Sequence, residues 1–340
     1  MKIKAIYICY IILYCVTTNL NAQDIHFSQF FASPLNINPA NTGNFDGSHR
    51  FIFNNKNQWQ SFADAYRTFA GSIDANFVDI GIEKSVTGIG LQINNDVAGD
   101  GKFGTNQFYF NLAYCLPISK EKNIFTAIGA NAGYVFHNID YGRLTFGDQY
   151  NGSFFSSENI TEEMFKNTKM SYPDFGLGLS LMFKNNPRFM PQAGISISHI
   201  NTPKRSFYTE SDMYLPIKWI INAGAEIKAN ETFYVEPLIM IMLQQKYQEY
   251  DFGALCRYDY NYTGLQSIYF GGMLRAKDAG IIHLGVKYDN IRMTISYDIN
   301  ISKLTQISRG KGGIELSLIY IFTKAKPFPS PYYRKCPDFI

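Results

Sequence analysis

Between residues 48 and 322 the chain alternates apolar and polar positions in short runs. Ile291, Met293, Ile295, Tyr297 and Ile299 interleave with Arg292, Thr294, Ser296, Asp298 and Asn300. Ile282, Leu284, Val286 and Tyr288 do so with His283, Gly285, Lys287 and Asp289, and Phe175, Leu177, Leu179, Leu181 and Phe183 with Gly176, Gly178, Ser180 and Met182. Side chains of a strand point alternately to its two faces, so these runs predict strands with one greasy and one polar face. A helix would need a 3.6-residue period, which these runs lack. The pattern predicts fourteen strands, near 48–58, 66–77, 86–95, 105–116, 123–136, 171–184, 188–200, 214–228, 232–244, 247–258, 263–275, 280–288, 291–302 and 312–322.

The connections sort by parity. The longest, 137–170 and 201–213, then 96–104 and 303–311, follow odd-numbered strands. Those after even-numbered strands are mostly tight, such as Asn185-Asn186-Pro187, Ala229-Asn230-Glu231 and Asp289-Asn290. Short turns at one end and long loops at the other, on an even strand count, predict an all-β fold: a transmembrane antiparallel β-barrel of about 14 strands in a bacterial outer membrane. The long loops then face outward. A soluble sandwich also alternates, but here the aromatic and aliphatic face recurs in nearly every strand, with Asp, Lys, Arg, Asn and Gly opposite. The last strand, Ile314 to Phe322, ends on an aromatic, and the Pro-rich stretch 323–340 that follows cannot extend a ladder.

Composition agrees. The chain holds 28 Phe, 24 Tyr and 27 Gly, yet its mean hydropathy is −0.15, as expected of a barrel greasy outside and wet inside. Lys2 and Lys4, the uncharged run Ala5–Val16 and then Ala22 predict a secretory signal peptide over residues 1–22. Its removal takes two lysines from 31 basic residues against 28 acidic ones, leaving +1. No basic field remains to attract nucleic acid. Cys115, Cys256 and Cys336 are scattered and odd in number, with neither a disulfide framework nor a CxxC metal motif.

Residues 23–47 do not read as strand. Asn and Pro in NINPANTG disfavour regular structure, while Phe27, Phe30, Phe31 and Leu35 are too apolar to hang in water. Two placements follow: a strap across the barrel mouth, or a plug within a lumen too wide for side chains alone to fill. The segment, QDIHFSQFFASPLNINPANTGNFDG with NKNQW after it, resembles the start of the PorP/SprF family of type IX secretion system membrane proteins of Bacteroidetes. The matching residues are Gln23, Asp24, Phe27, Ser28, Gln29, Pro34, Leu35, Asn38, Pro39, Ala40, Gly43, Asn57, Gln58 and Trp59. Weaker matches follow at Asn95, Asp96 and Gly99, at Tyr297, Asp298, Ser302 and Leu304, at Glu315 and Tyr320, and at the closing CPDF. Phe30, where the family often has Tyr, and Asp338, where a basic residue is common, depart from the pattern. The resemblance implies a partner to the type IX export machinery, in some members serving gliding motility. It implies as partners other secretion components and a large secreted protein with a C-terminal sorting domain, anchored or presented at the cell surface; outer-membrane lipid is expected around the barrel. General diffusion or uptake through a porin-like barrel is the alternative, and a barrel hydrolase a more distant one.

No catalytic, cofactor-binding or metal motif stands out. His26, His49, His137, His199 and His283 form no HExxH-like pair, and Gly310-Lys311-Gly312-Gly313 lacks phosphate-loop spacing. Asp289 and Asp298 are expected to face inward and pair with Lys287 and Arg292 as a solvated network. No enzyme is expected. If a secreted partner docks, the aromatics of the long loops, Tyr141, Phe146, Phe154, Phe155, Phe207 and Tyr208, are the expected anchors.

Overall fold

The computed structural model describes residues 24–322 apart from 59–65, 79–84, 122, 151, 155, 157–166, 208–212, 261–263 and 303–304. The expected signal peptide, Pro-rich tail and Cys336 lie outside the described residues. Fourteen strands form: β1 (His49–Gln58), β2 (Tyr66–Val78), β3 (Val86–Ala98), β4 (Phe103–Pro117), β5 (Ile124–Asn138), β6 (Lys169–Phe183), β7 (Phe189–Ser198), β8 (Lys218–Lys228), β9 (Phe233–Gln244), β10 (Tyr247–Asp259), β11 (Leu265–Arg275), β12 (Ala279–Tyr288), β13 (Ile291–Asn300) and β14 (Lys311–Phe322). Each pairs antiparallel with its sequence neighbours, and β14 returns to pair with β1, closing the barrel. Closure leaves no sheet edge unpaired, the condition for crossing a membrane with strands. No described helix is long and apolar enough to cross one, and that says nothing against a barrel.

The burial is inverted relative to a soluble protein. In β13 the exposed residues are Met293, Ile295, Tyr297 and Ile299, while Thr294, Ser296, Asp298 and Asn300 are buried. Leu91, Ile128 and Ile282 are more than half exposed on the outer wall, whereas Arg275, Lys56 and Glu315 are at most 2 % exposed inside. Water on both sides would make such an arrangement costly; hydrocarbon outside makes it the favourable one.

The strand ends depart most from the sequence pattern in two places. The predicted loop 96–104 shrinks to a tight turn, because Asn95 pairs with Asn106 and Asp96 with Thr105, extending both strands past their apolar residues. The turn is carried by Gly99 at φ +65° and Lys102 at φ +44°. Strand β8 begins at Lys218, four residues later than its pattern. Pro216 has no N–H to give a ladder, and Tyr214 instead forms an isolated bridge with Lys204 of the preceding loop.

Both described ends of the chain, Asp24–Ser48 apart, meet at one rim: Ser48 N donates to Phe322 O at 2.8 Å. This termini end carries the short turns, including Asp289-Asn290. The opposite rim carries the long loops, of which 139–168 contains two 3-10 turns, Tyr141–Arg143 and Gly147–Gln149, and 301–310 a helical turn, Thr305–Ser308.

Candidate functional site

The lumen is where polar side chains, buried charge and the N-terminal segment converge. Local chemistry shapes the segment first. Pro34 and Pro39 each stand in the first turn of a short helix, where the missing N–H costs nothing. Asn38 is extended between them, and its side chain accepts from Ala40 N at 2.9 Å. Three short turns, Phe30–Ala32, Pro34–Ile37 and Pro39–Asn41, thus fold residues 30–41 into a compact body rather than a strand.

That body sits within the ring of strands. Asn38 Nδ2 donates to Leu179 O (3.0 Å) on β6 and Ile195 O (3.2 Å) on β7, and Ser196 Oγ donates to Ile37 O at 2.5 Å. Glycines on the wall make the approach feasible. A Cβ at Gly178 would lie 1.9 Å from Asn38 Oδ1, and one at Gly129 2.4 Å from Pro39 C and Ala40 N. A side chain at Gly129 would have to move the backbone of Pro39 and Ala40, and one at Gly178 would displace the Asn38 side chain from its bonds to β6 and β7. Phe30 and Ile37 pack with inward-facing Ile220, Met240, Met242, Met273 and Ile281.

Three polar anchors pin the segment along its length. Midway, Ser28 N and Gln29 N donate to the two carboxylate oxygens of Glu315 at 2.8 and 3.0 Å. The Gln29 side chain donates to Glu315 O and Ser296 Oγ and accepts from Ser317 Oγ at 2.7 Å, while Ser28 Oγ donates to Asp298 Oδ2 at 2.6 Å. Around this knot Arg275 lies within 3.3–3.7 Å of Asp251, Asp278, Asp298 and Glu249, and Lys56 within 3.8 Å of Asp298. So many buried charges hold together only as a set: removing one partner leaves its mates desolvated.

Toward the long-loop end, Asp24 accepts from Lys218 Nζ at 2.6 Å and pairs with His199 Nε2 at 2.7 Å. His199 Nδ1 faces Asp174 at 2.9 Å, and Tyr109 donates to the same carboxylate at 2.6 Å. Burial acts against the Asp24 carboxylate, yet Lys218 and His199 outweigh it and hold its pKa well below the usual range. Burial likewise lowers the His199 pKa, and the Asp24 charge with the hydrogen bonds to Asp174 and Asp24 raises it above 6.5 on balance. Toward the termini end, Gly43 N donates to Asp74 Oδ2 at 2.8 Å, and Arg50 clasps both oxygens of Asp74 at 3.0 and 2.7 Å.

The structure brings most motif residues together. Phe27, Ser28, Gln29, Leu35, Asn38, Pro39 and Gly43 are buried and Pro34 half-buried in the lumen. Asn57 and Gln58 stand apart, at the far end of β1 opposite Ile314 and Gly313 of β14; Trp59 lies outside the described residues. Of the loop aromatics, Phe154 is exposed, while Tyr141, Phe146 and Phe207 are half-buried. Phe207 packs edge-on to Phe103 at 6.2 Å, and its carbonyl accepts from Asn167, tying two long loops together. Phe155 and Tyr208 lie outside the described residues.

The expected inward ion pairs need correcting. Asp298 pairs with Arg275 and Lys56, because its neighbour in space comes from β11 and β1, whereas Arg292 stacks on Tyr269 at 3.9 Å. Asp289 is exposed at its turn. Residues that pattern reading passed over include Asp174, His199, Lys218 and Arg275, each polar at an inward strand position or its edge. Among the described residues no group of three or more His, Cys, Asp or Glu is placed to hold a metal ion.

A closed, antiparallel, fourteen-stranded barrel with an aliphatic and aromatic outside defines an outer-membrane β-barrel protein. The family described as type IX secretion system membrane protein PorP/SprF matches residues 19–320, and the chain belongs to it. No curated protein matches significantly. Solved structures of similar outline include the CymD monoaromatic hydrocarbon channel (10 % identity, 86 % of this chain and 93 % of that one, TM-score 0.48). The Pseudomonas putida toluene transporter TodX (12 %, 85 % and 93 %, 0.47) and a Pseudomonas aeruginosa FadL homologue (8 %, 84 % and 93 %, 0.45) are others.

Proposed function

We propose that this barrel anchors a large secreted protein at the cell surface, using its long-loop rim as the dock and residues 23–47 as a resident plug. Its family membership supports a role beside the export machinery, with other secretion components as partners. The observation that carries the docking reading is a set of large apolar side chains exposed on the long loops: Tyr150 (55 %), Phe154 (62 %), Met213 (64 %) and Tyr214 (59 %). They belong to two neighbouring loops rather than to the outer wall, so lipid contact does not account for them, and aromatic residues so placed favour a protein partner. The partner fitting this rim is an exported protein presenting an apolar face, as a C-terminal sorting domain would. The seated segment bears against the porin-like alternative, since diffusion would have to pass Phe30, Leu35 and Ile37 with their anchors in place.

Deleting 147–168 tests the reading, because loops tolerate changes in length while strands do not. The barrel should still assemble, and the secreted partner should leave the cell surface for the medium. The milder pair Phe154→Ala and Tyr214→Ala should weaken partner retention by roughly 2 kcal/mol, the scale of interface hot spots. A well-assembled deletion variant that displays its partner normally would refute the rim as the dock.

A further inference from the structure

Below the plug, at the termini end, the lumen keeps a cavity of about 460 Å³. That lies within the roughly 300–1,000 Å³ typical of small-molecule sites. Its wall breaks the rule that the inside is polar: Phe31, Ile37, Leu238, Ile319 and Ile321 all line it. Beside Ile319, on the neighbouring strands of the same wall, stand two cations. Lys287 on β12 and Arg292 on β13 are direct cross-strand partners, and both line the cavity.

Like charges placed directly opposite each other on neighbouring strands repel. No carboxylate among the described residues forms an ion pair with either of them, and Arg292 Nε and Nη2 are buried without a hydrogen-bond partner. The guanidinium carbon lies 3.9 Å from the Tyr269 ring centre and 5.5 Å from that of Phe31. Glu236 feels the Arg292 charge from a distance, but its ion pair is with Arg257 at 3.2 Å. Asp46 and Asp289 also line the cavity, and both are exposed to solvent. Two further lining atoms, Ser180 Oγ and Asn222 Oδ1, are buried with no partner among the described residues.

An oriented cation pair beside an apolar wall is complementary to a molecule with a charge at one end and hydrocarbon at the other. We propose that this cavity binds a single-chain amphiphile with an anionic head, the head on Arg292 and Lys287 and the chain along Leu238, Ile319 and Ile321. A small hydrophilic anion would leave the apolar wall wet, and a neutral lipid would leave the two cations unpaired. The proposal stands apart from the docking reading, since it concerns the opposite end of the barrel.

The test uses the full barrel in nanodiscs of zwitterionic lipid, with palmitate as the probe and binding followed by calorimetry. Hexadecanol removes the charge and inorganic phosphate removes the chain. Palmitate should bind once per barrel, and the two controls at least tenfold more weakly. The double variant Arg292→Gln with Lys287→Gln should lower palmitate affinity at least tenfold while leaving hexadecanol unchanged. Asn222→Trp, whose side chain enters the cavity from the inward face of β8 without touching charge, should abolish saturable binding; it also serves as the second probe should the double variant fail to assemble. Lysophosphatidate binding in place of palmitate would support the site and identify phospholipid as the source of the head group. Hexadecanol binding as tightly as palmitate, unchanged affinity in either variant, or no saturable binding of palmitate and lysophosphatidate would overturn the proposal.

Discussion

Single residues decide whether the N-terminal segment stays seated, and the outermost anchor does so through protonation. The Asp24 carboxylate has its pKa lowered, so its contribution is present above about pH 4, the unfolded value, and fades as pH falls through the depressed folded value. His199 works in the opposite sense. Its pKa is raised above 6.5, so its contribution is complete below that pH and fades as pH rises through the folded value. The two together make the docking of Asp24 strongest in mildly acidic solution. Hydrogen exchange across residues 24–31 should therefore be slowest near pH 5 to 6, after correction for intrinsic rates, and faster on both sides. His199→Gln should remove the alkaline change and keep the acid one. An alkaline change that survives in His199→Gln would assign it to another group.

At the scale of the strand, the alternation that makes the barrel also ranks its positions. Ile295 is 45 % exposed on the outer wall in mid-strand, where lipid meets it. Ile295→Lys should cost roughly 2–4 kcal/mol, read as loss of heat-modifiable protein. Gln192 is exposed toward the lumen cavity, so Gln192→Lys should stay within about 0.5 kcal/mol. Equal effects would contradict the assignment of faces. Strands were legible because period two needs no knowledge of the partner: all fourteen appear in the sequence, with ends shifted by turns such as Gly99–Lys102 and by Pro216. The lumen was far less legible. Gln29 and Glu315 are 286 residues apart, and no local pattern says that they meet. One signal was available: from Leu318 to Phe322 the alternation stops, LIYIF being apolar on both faces. The inward half of that run, Ile319 and Ile321, lines the cavity. The wall glycines, too, were visible, but Gly129 and Gly178 gain meaning only once Pro39 and Asn38 are placed against them.

The molecule as a whole has two unlike ends, and the N-terminal segment records which is which. It begins beside Lys218 and His199 under the long loops and descends past Glu315 to Asp74 and Ser48 at the termini end. Its anchors lie on β1, β2, β3, β6, β7, β8, β11, β13 and β14, so it can be fully seated only when the first and last strands have met. A segment that requires closure for its own contacts also stabilises closure, since opening the β1–β14 seam would strand Gln29 between Ser317 and the emptied lumen. This couples the plug to the sidedness of the barrel. Short turns are the end that a bacterial barrel keeps in the periplasm, and long loops the end that passes to the surface. In a background with the native cysteines replaced by serine, Lys204→Cys and Asp148→Cys should react with a membrane-impermeant maleimide on intact cells. Asn186→Cys and Asn230→Cys, at exposed short turns, should react only after the outer membrane is opened. The inverted result would place the docking rim in the periplasm and the amphiphile cavity at the surface, so this measurement orders every other test of partner and ligand.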